Sequence, residues 1–385
     1  MINIRNKSLK DFDWALLITT LALCIYGLIV LSSAASGLKN YDSIMKSQIA
    51  ATVLGFVAIF FLTVIDYDIW GKLYIPIYFI CIGLLIWTII KGVSDGWGAK
   101  SWVTIPGTSF GIQPSEIVKI GLIISLSKMI DKNKENLNEP FVLLKVLAFG
   151  FFPVALIMLQ PDLGTALVFT FFIAIMLFVA GIKWQYIGYA VMLAFLALPI
   201  AWNKMEDYQK NRILGFFDPT IDALGSTYQI NQSKIALASG QLTGRGLYQG
   251  VQTQYKYLPT RETDFIFSAL SEELGFIGGV ILITLYFILI FRLIKIAMDH
   301  KDSFGSYMCM GFMGMFLFHI WENIGMNIGV MPVTGIPLPF VSQGGTFQLI
   351  CLIAIGIALS VSIHMEDPDY KIERKSVLIK GDSKQ

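Results

Sequence analysis

The 385-residue chain is 55% hydrophobic and 15% charged, with 28 Phe and a mean hydropathy of +0.66. Soluble domains carry roughly 25% charged residues, and apolar runs of about 20 residues, the length that crosses a bilayer core, recur along this sequence. That excludes a soluble globular enzyme: the solvent for most of the chain is lipid. The formal net charge of +2 says little about partners, because distribution matters more than the sum; nucleic acid is not expected among them.

The first apolar run starts near Trp14, after a basic stretch. It is too long for a signal-peptide core and is read as a retained span. Charge clusters and Gly/Pro punctuation then delimit spans near 13–36, 47–65, 71–91, 113–130, 142–159, 163–181, 185–203, 264–292, 304–330 and 342–364. The predicted fold is a single all-α integral membrane domain over 1–385, a bundle of about ten transmembrane helices. A large extracytoplasmic loop, 204–263, lies between spans 7 and 8. An inside N-terminus puts the larger share of the 29 Lys and Arg on the cytoplasmic side, and most of the external ones fall in the long loop, where they count less. Both termini, 1–12 and 366–385, are therefore expected in the cytoplasm. Cys24, Cys81, Cys309 and Cys351 all sit inside apolar runs, which suggests neither a metal site nor a disulfide framework.

The long loop is expected to fold rather than to stay disordered. Its segment 227–240, TYQINQSKIALASG, has helical apolar spacing at Ile230, Ile235, Ala236 and Leu237, and the glycines after it read as turns. Four polar clusters are predicted on the same external face. In GAKSWVTIPGTSFGIQPSEIVKI (98–120), Trp102 precedes a helix opening at Pro114, and Glu116 and Lys119 share one face at i,i+3. These two charges read either as a neutralising pair that locks helix packing or as the lining of a substrate path. In QPDLGTA (160–166), Asp162 is placed to cap the next helix, or to hold a cation or orient a sugar hydroxyl.

The third cluster, YLPTRETDFIFSALSEELGFIGG (257–279), brings Asp264 to the outer interface. There Thr263 or Asp264 reads as an N-cap or as a functional carboxylate. Glu272 and Glu273 lie two to three turns deeper and call for Arg or Lys partners. The fourth, MPVTGIPLPFVSQGG (331–345), forces irregular backbone at membrane depth, which is tolerated only against protein or a water-filled cavity. His319 and Glu322, at i,i+3 in the ninth span, read as an internal hydrogen-bonded pair.

Six ordered blocks, QPSEIVK, QPDLGTA, RILGFFDP, YQINQSKIALASGQLTGRG, TDFIFSALSEELGFIG and GIPLPFVSQGG, resemble the successive signatures of the SEDS (shape, elongation, division and sporulation) family. The resemblance runs from the first span to the tenth. Segments 232–240 and 250–259 are more similar to the RodA-type elongation branch than to the FtsW-type division branch. The resemblance implies a peptidoglycan glycosyltransferase that polymerises lipid II at the outer face of the bacterial cytoplasmic membrane, in cell elongation and rod-shape maintenance. It implies Asp264 as the essential carboxylate, either a general base or a cation ligand. Diphosphate stabilisation falls to Lys119, Arg212 or a divalent cation, Mg2+ or Mn2+, on Glu116, Asp162 or Asp264. Trp102 is open to sugar stacking or loop packing. The chain departs from the family pattern at Thr260, Glu262 and Gln343, which puts a flanking histidine's help, and the loop near Gln343, in doubt.

The implied partners are a class B penicillin-binding protein and other membrane proteins of the elongation complex, since the sequence carries no Ser-x-x-Lys transpeptidase motif. Two other classes stand beside this reading. A lipid II flippase would leave polar marks on both faces, and a non-catalytic scaffold would tolerate loss of Asp264.

Overall fold

The computed structural model of the chain is predominantly helical and describes residues 12–93, 100–104, 111–218, 225–300 and 302–364. The helices in order are α1 (Trp14–Ala34), α2 (Tyr41–Val64), the one-turn α3 (Asp68–Lys72), α4 (Tyr74–Lys91), α5 (Pro114–Asn133), α6 (Pro140–Met158), α7 (Leu163–Val179) and α8 (Trp184–Lys204). Then come α9 (Asp207–Phe217), α10 (Ser226–Gly240), α11 (Val251–Gln254), α12 (Ile266–Asp299), α13 (Ser303–Ile328) and α14 (Gly345–Ile363). The all-α expectation needs one correction, a two-residue antiparallel hairpin of β1 (Val103–Thr104) and β2 (Gly111–Ile112). The predicted cytoplasmic segments 1–12 and 366–385 lie, apart from residue 12, outside the described residues.

Helices α1, α2, α4, α6, α12, α13 and α14 are long and apolar enough to cross a membrane; α7 and the stretch Trp184–Pro199 of α8 are shorter apolar helices. The chain is a multi-pass membrane protein. Pro at the first position opens α5 and α6, where its missing N–H costs nothing, and Asp13 caps α1 through Leu16 N at 2.9 Å. The same carboxylate takes a two-pronged bond from Arg292, 2.6 to 2.9 Å, which ties the start of α1 to the far end of α12.

Burial sorts the helices into a centre and a rim. Most of α5, α13 and α14 is buried, whereas α2 and α4 turn Phe60, Phe61, Phe79 and Ile90 outward. Helix α13 packs against α5, α7 and α12, α14 lies along α2, and α10 rests on α12 and α13. The 331–344 segment is irregular but buried at Ile336, Leu338, Phe340 and Val341. It reaches α1 at Gly27, where a Cβ would run into the Phe340 carbonyl.

The long loop is folded, as its spacing predicts: α10 covers 226–240, and a satellite core of Ile230, Ala236, Leu258, Phe265, Met326 and Val333 lies beneath it. Its attachment to the bundle is unusual. Helix α12 breaks at Gly275 (φ 68°, ψ −167°), a conformation glycine adopts without penalty, and loop backbone fills the break. Arg245 N and Gly246 N donate to the Glu272 and Glu273 carbonyls at 3.0 and 2.9 Å, and Phe276 N and Ile277 N donate to the Gln241 and Leu242 carbonyls at 2.8 and 3.1 Å. The backbone groups freed by the break are thus satisfied, as a low-dielectric setting requires.

Glu272 and Glu273 do not meet the Arg or Lys partners expected of them: both are buried, yet among the described residues neither pairs with Lys or Arg. Glu272 accepts from Gln252 N (2.8 Å), Thr253 N (2.9 Å) and Thr253 Oγ1 (2.7 Å); Glu273 accepts from Ser33 Oγ (2.7 Å) and Gln254 Nε2 (2.9 Å). Neutral donors from the loop and from Ser33 of α1 do what a long cationic side chain was expected to do. Each orphaned buried donor costs roughly 1–3 kcal/mol, so Glu272→Leu should loosen the 241–258 segment. Limited proteolysis in liposomes is expected to cut it at least about tenfold faster than in wild type, with Glu272→Gln, which keeps an acceptor oxygen, in between. Equal rates for all three would remove the clamp from the account.

Candidate functional site

At one end of the bundle the N-termini of α5, α7 and α14 converge on a cavity of about 570 Å³, closed by α9, by residues 260–264 and by the 331–344 segment. Trp102, Glu116, Lys119, Asp162, Arg212 and Asp264 all line it. Residues up to 162 positions apart in sequence, Trp102 to Asp264, therefore form one site.

Glu116 and Lys119 are the innermost pair, 2.8 Å apart and with side chains 6% and 1% exposed. They neutralise one another, and both line the cavity. The Lys119 ammonium also sits 5.1 Å from the centre of the Phe347 ring, within cation–π range. Asp162 likewise fills two roles: it caps α7, accepting from Thr165 N (3.0 Å) and Thr165 Oγ1 (2.8 Å), and it faces the cavity, where Gln113 Nε2 reaches it at 3.2 Å. Arg212 enters from α9, which Gln209 ties to the Pro161 carbonyl at 3.2 Å.

Asp264 lies in the turn before α12 and is partly buried. The capping alternative does not hold, because α12 starts at Ile266 with Phe265 at its N-cap and no side-chain cap. A Cβ on Gly335 would stand 3.8 Å from Asp264 Oδ2, which places the carboxylate beside the irregular segment across the cavity. Arg261 points elsewhere: it is buried, absent from the lining, and its Nη2 donates to the Ser36 carbonyl at 3.4 Å. Burial lowers its pKa, and neighbouring Glu262 works in the opposite direction.

Trp102 is 38% exposed, with its carbonyl accepting from Val93 N at 2.8 Å, so it both pins the hairpin and forms cavity wall. Gln343, one of the departures, lines the cavity, and its N–H donates to the Glu262 carbonyl at 2.8 Å. The loop there is closed despite the substitution.

The expected His319–Glu322 pair is not formed. His319 Nε2 lies 3.0 Å from Lys119 Nζ, and Glu322 Oε1 accepts from Thr334 Oγ1 at 2.9 Å. On α13 the two side chains serve different neighbours, which spacing within one helix cannot reveal. His319 lines the cavity as well, and so do three residues missed in the sequence, Gln113, Gln209 and Gln229. The signal for the first of these was present, since Gln113 opens QPSEI as Gln160 opens QPDLG.

Among the described residues no three His, Cys, Asp or Glu side chains gather as a metal-binding group. Glu116, Asp162 and Asp264 therefore do not form a protein cage for a cation.

The chain matches the family model described as "Cell cycle protein", which joins FtsW, RodA and SpoVE, over residues 14–367. It is 36% identical over 371 residues to the peptidoglycan glycosyltransferase MrdB of Escherichia coli K12, covering 94% of this chain and 97% of that protein. It is 37% identical over 362 residues to stage V sporulation protein E of Bacillus subtilis 168, covering 91% and 96%. Among solved structures, a chain from work on the structural coordination of polymerization and crosslinking by a peptidoglycan synthase complex superposes with a TM-score of 0.78, at 30% identity over 91% of this chain and 97% of that one. The rod shape determining protein RodA of Thermus thermophilus superposes with a TM-score of 0.70, at 26% identity over 92% and 98%. With its six motif blocks, its multi-pass helical fold and a family match across nearly its whole length, the chain belongs to the FtsW/RodA/SpoVE family of cell cycle proteins.

Proposed function

We propose that the chain is a peptidoglycan glycosyltransferase that polymerises lipid II into glycan strands during cell elongation and rod-shape maintenance. One observation carries the reading: a single cavity holds two cations, three carboxylates and an indole at one end of a membrane bundle. A lipid-linked donor keeps its tail in the bilayer while its sugars and diphosphate sit at the surface. Such a substrate needs a polar chamber at the membrane boundary. The converging N-termini of α5, α7 and α14 add positive dipole ends to Lys119 and Arg212, which suits a diphosphate.

In the reaction, the 4-hydroxyl of the acceptor's N-acetylglucosamine attacks the anomeric carbon of the growing strand. The bond from that carbon to phosphate oxygen breaks, undecaprenyl diphosphate departs with the electron pair, and α configuration inverts to β. Asp264 is assigned as the general base that takes the hydroxyl proton. Lys119 and Arg212 are assigned to the charge that builds on the leaving diphosphate, and Asp162 and Trp102 to positioning the sugar. The diphosphate's own charge suits Mg2+ or Mn2+, which bind phosphates with one or two carboxylates rather than an all-protein cage. The protein's share is then a single carboxylate from Asp264, Glu116 or Asp162, and the ion would supply charge neutralisation.

The topology proposed with this function is ten spans, the seven long apolar helices with α5, α7 and α8, in the bacterial cytoplasmic membrane. Both termini are cytoplasmic, and the cavity opens outward beneath the loop of α9, α10 and α11. Cross-linking belongs to a class B penicillin-binding protein, a partner in keeping with the synthase complex whose chain this fold matches, together with other elongation-complex membrane proteins. Purified protein given lipid II tests the function by formation of glycan strands. EDTA is expected to slow the reaction and Mg2+ to restore it without a shift in melting temperature, because no protein cage depends on the ion. A fall in melting temperature on chelation would place the metal in a structural site instead.

A further inference from the structure

Helix α13 carries three polar side chains at i, i+4 and i+8, His319, Asn323 and Asn327, 2%, 0% and 0% exposed. This spacing lines them on one face, over roughly 12 Å of helix. His319 serves the Lys119 end of the site, and Asn323 and Asn327 serve the Asp264 end. His319 Nδ1 lies 3.0 Å from the Pro337 carbonyl. A carbonyl only accepts, so Nδ1 carries the ring proton and Nε2 is left to accept from the Lys119 ammonium at 3.0 Å. The ring is therefore neutral and its tautomer is set by backbone.

Asn323 Nδ2 donates to the Asp264 carbonyl (2.9 Å) and to the Ile336 carbonyl (2.8 Å). Asn327 Nδ2 donates to the same Asp264 carbonyl (2.9 Å) and to the Asn323 carbonyl (2.8 Å). The other face of the Asn327 amide accepts from Ser268 N (3.0 Å) and Ser268 Oγ (2.6 Å), one turn into α12. The amide orientations follow from these partners, since neither nitrogen can accept.

We propose that His319, Asn323 and Asn327 are positioning residues that hold Lys119 and Asp264, one cation and one carboxylate of the site, in register with each other and with the 331–344 segment. The proposal rests on the polymerase reading and deepens it. Two amide donors on one carbonyl leave the Asp264 main chain little freedom. The bonds of His319 and Asn323 to adjacent carbonyls, Pro337 and Ile336, make the irregular segment a shared strut between the two ends. A misplacement of about 1 Å in a reacting group costs on the order of 10²-fold in rate, so this stripe acts on turnover more than on substrate binding. None of the three needs to touch the sugar.

The test is steady-state lipid II polymerisation by the full-length protein in liposomes, for wild type, Asn323→Leu, His319→Leu and His319→Gln, with binding of lipid II measured separately by quenching of intrinsic fluorescence. Leu matches the bulk of Asn323 without its donors; Gln keeps an acceptor near the position of Nε2. Asn323→Leu is expected to lower kcat about 10–100-fold, the range of supporting-residue losses, with KM and binding within about twofold of wild type. His319→Leu is expected to lose turnover to a similar extent, and His319→Gln to regain a large part of it with the pH profile of kcat unchanged in shape.

Wild-type turnover in Asn323→Leu would overturn the proposal. So would a kcat loss matched by an equal loss of folded, lipid II-binding protein, the mark of a merely structural role. Disappearance of one limb of the pH profile in His319→Gln would make His319 an acid or base instead of a positioning residue. Failure of the wild type itself to polymerise would count against the polymerase reading, a result distinct from any of these.

Discussion

Replacing Asp264 with Asn is expected to lower the polymerisation rate by about 10²–10⁴-fold, the usual contribution of a general base, while the protein keeps its melting temperature and its affinity for lipid II. The Asp264 carbonyl, which Asn323 and Asn327 hold, is a main-chain group that the substitution retains, and Asn keeps the shape of the side chain. The substitution changes one oxygen to an amide nitrogen that cannot accept a proton. If turnover persists within about threefold, Asp264 is not the base. If turnover falls together with the melting temperature, the carboxylate is structural. High Mg2+ restoring the rate of Asp264→Asn would favour the cation role over the base.

The second large effect is expected at the buried ion pair. Lys119→Met leaves Glu116, 6% exposed at its side chain, without its cation, and an uncompensated buried charge costs roughly 3–5 kcal/mol. The single variant should therefore melt well below wild type. Glu116→Gln together with Lys119→Met removes both charges, and such double replacements are commonly neutral in stability, so the melting temperature should largely return. Polymerisation should not: the diphosphate would still lack Lys119, and loss of one preorganised electrostatic partner is worth about 10²–10³-fold. A double variant that recovers both stability and turnover would reduce the pair to a packing device.

Much of the architecture was written in hydropathy. Nine of the predicted segments overlap one long helix each, and the tenth, near 71–91, is split between the end of α3 and α4. Pro114 and Asp162 marked helix starts by mechanisms that act within one turn. What hydropathy could not supply was which face of a helix meets lipid and which meets protein. From Val53 to Leu62 helix α2 is apolar on all sides, yet Ile59 is buried while Phe60 and Phe61 are exposed. In lipid both surroundings are apolar, so no periodicity separates them.

The site divides along a similar line. Local motifs named Trp102, Glu116, Lys119, Asp162, Arg212 and Asp264, and the cavity gathers all six. Partnerships across the bundle were out of reach. His319 was assigned to Glu322, three residues away, but it bonds to Lys119, 200 residues away. Glu272 and Glu273 were expected to find cations, but Glu272 accepts from the Thr253 N–H and hydroxyl of the loop that enters the α12 break, and Glu273 from Gln254 of that loop and Ser33 of α1. Gly275 stands between Glu273 and the pair Gly278 and Gly279, and nothing in that run tells which of the three glycines takes the positive φ.

The most direct test of the central claim is polymerisation of purified lipid II by this protein reconstituted in liposomes, alone and with its class B penicillin-binding protein, beside Asp264→Asn and with contaminating polymerases excluded. The account predicts glycan strands from the wild type and none above background from Asp264→Asn. Absence of strands in every wild-type preparation, together with movement of labelled lipid II across the liposome membrane, would contradict it and make the cavity a transport path.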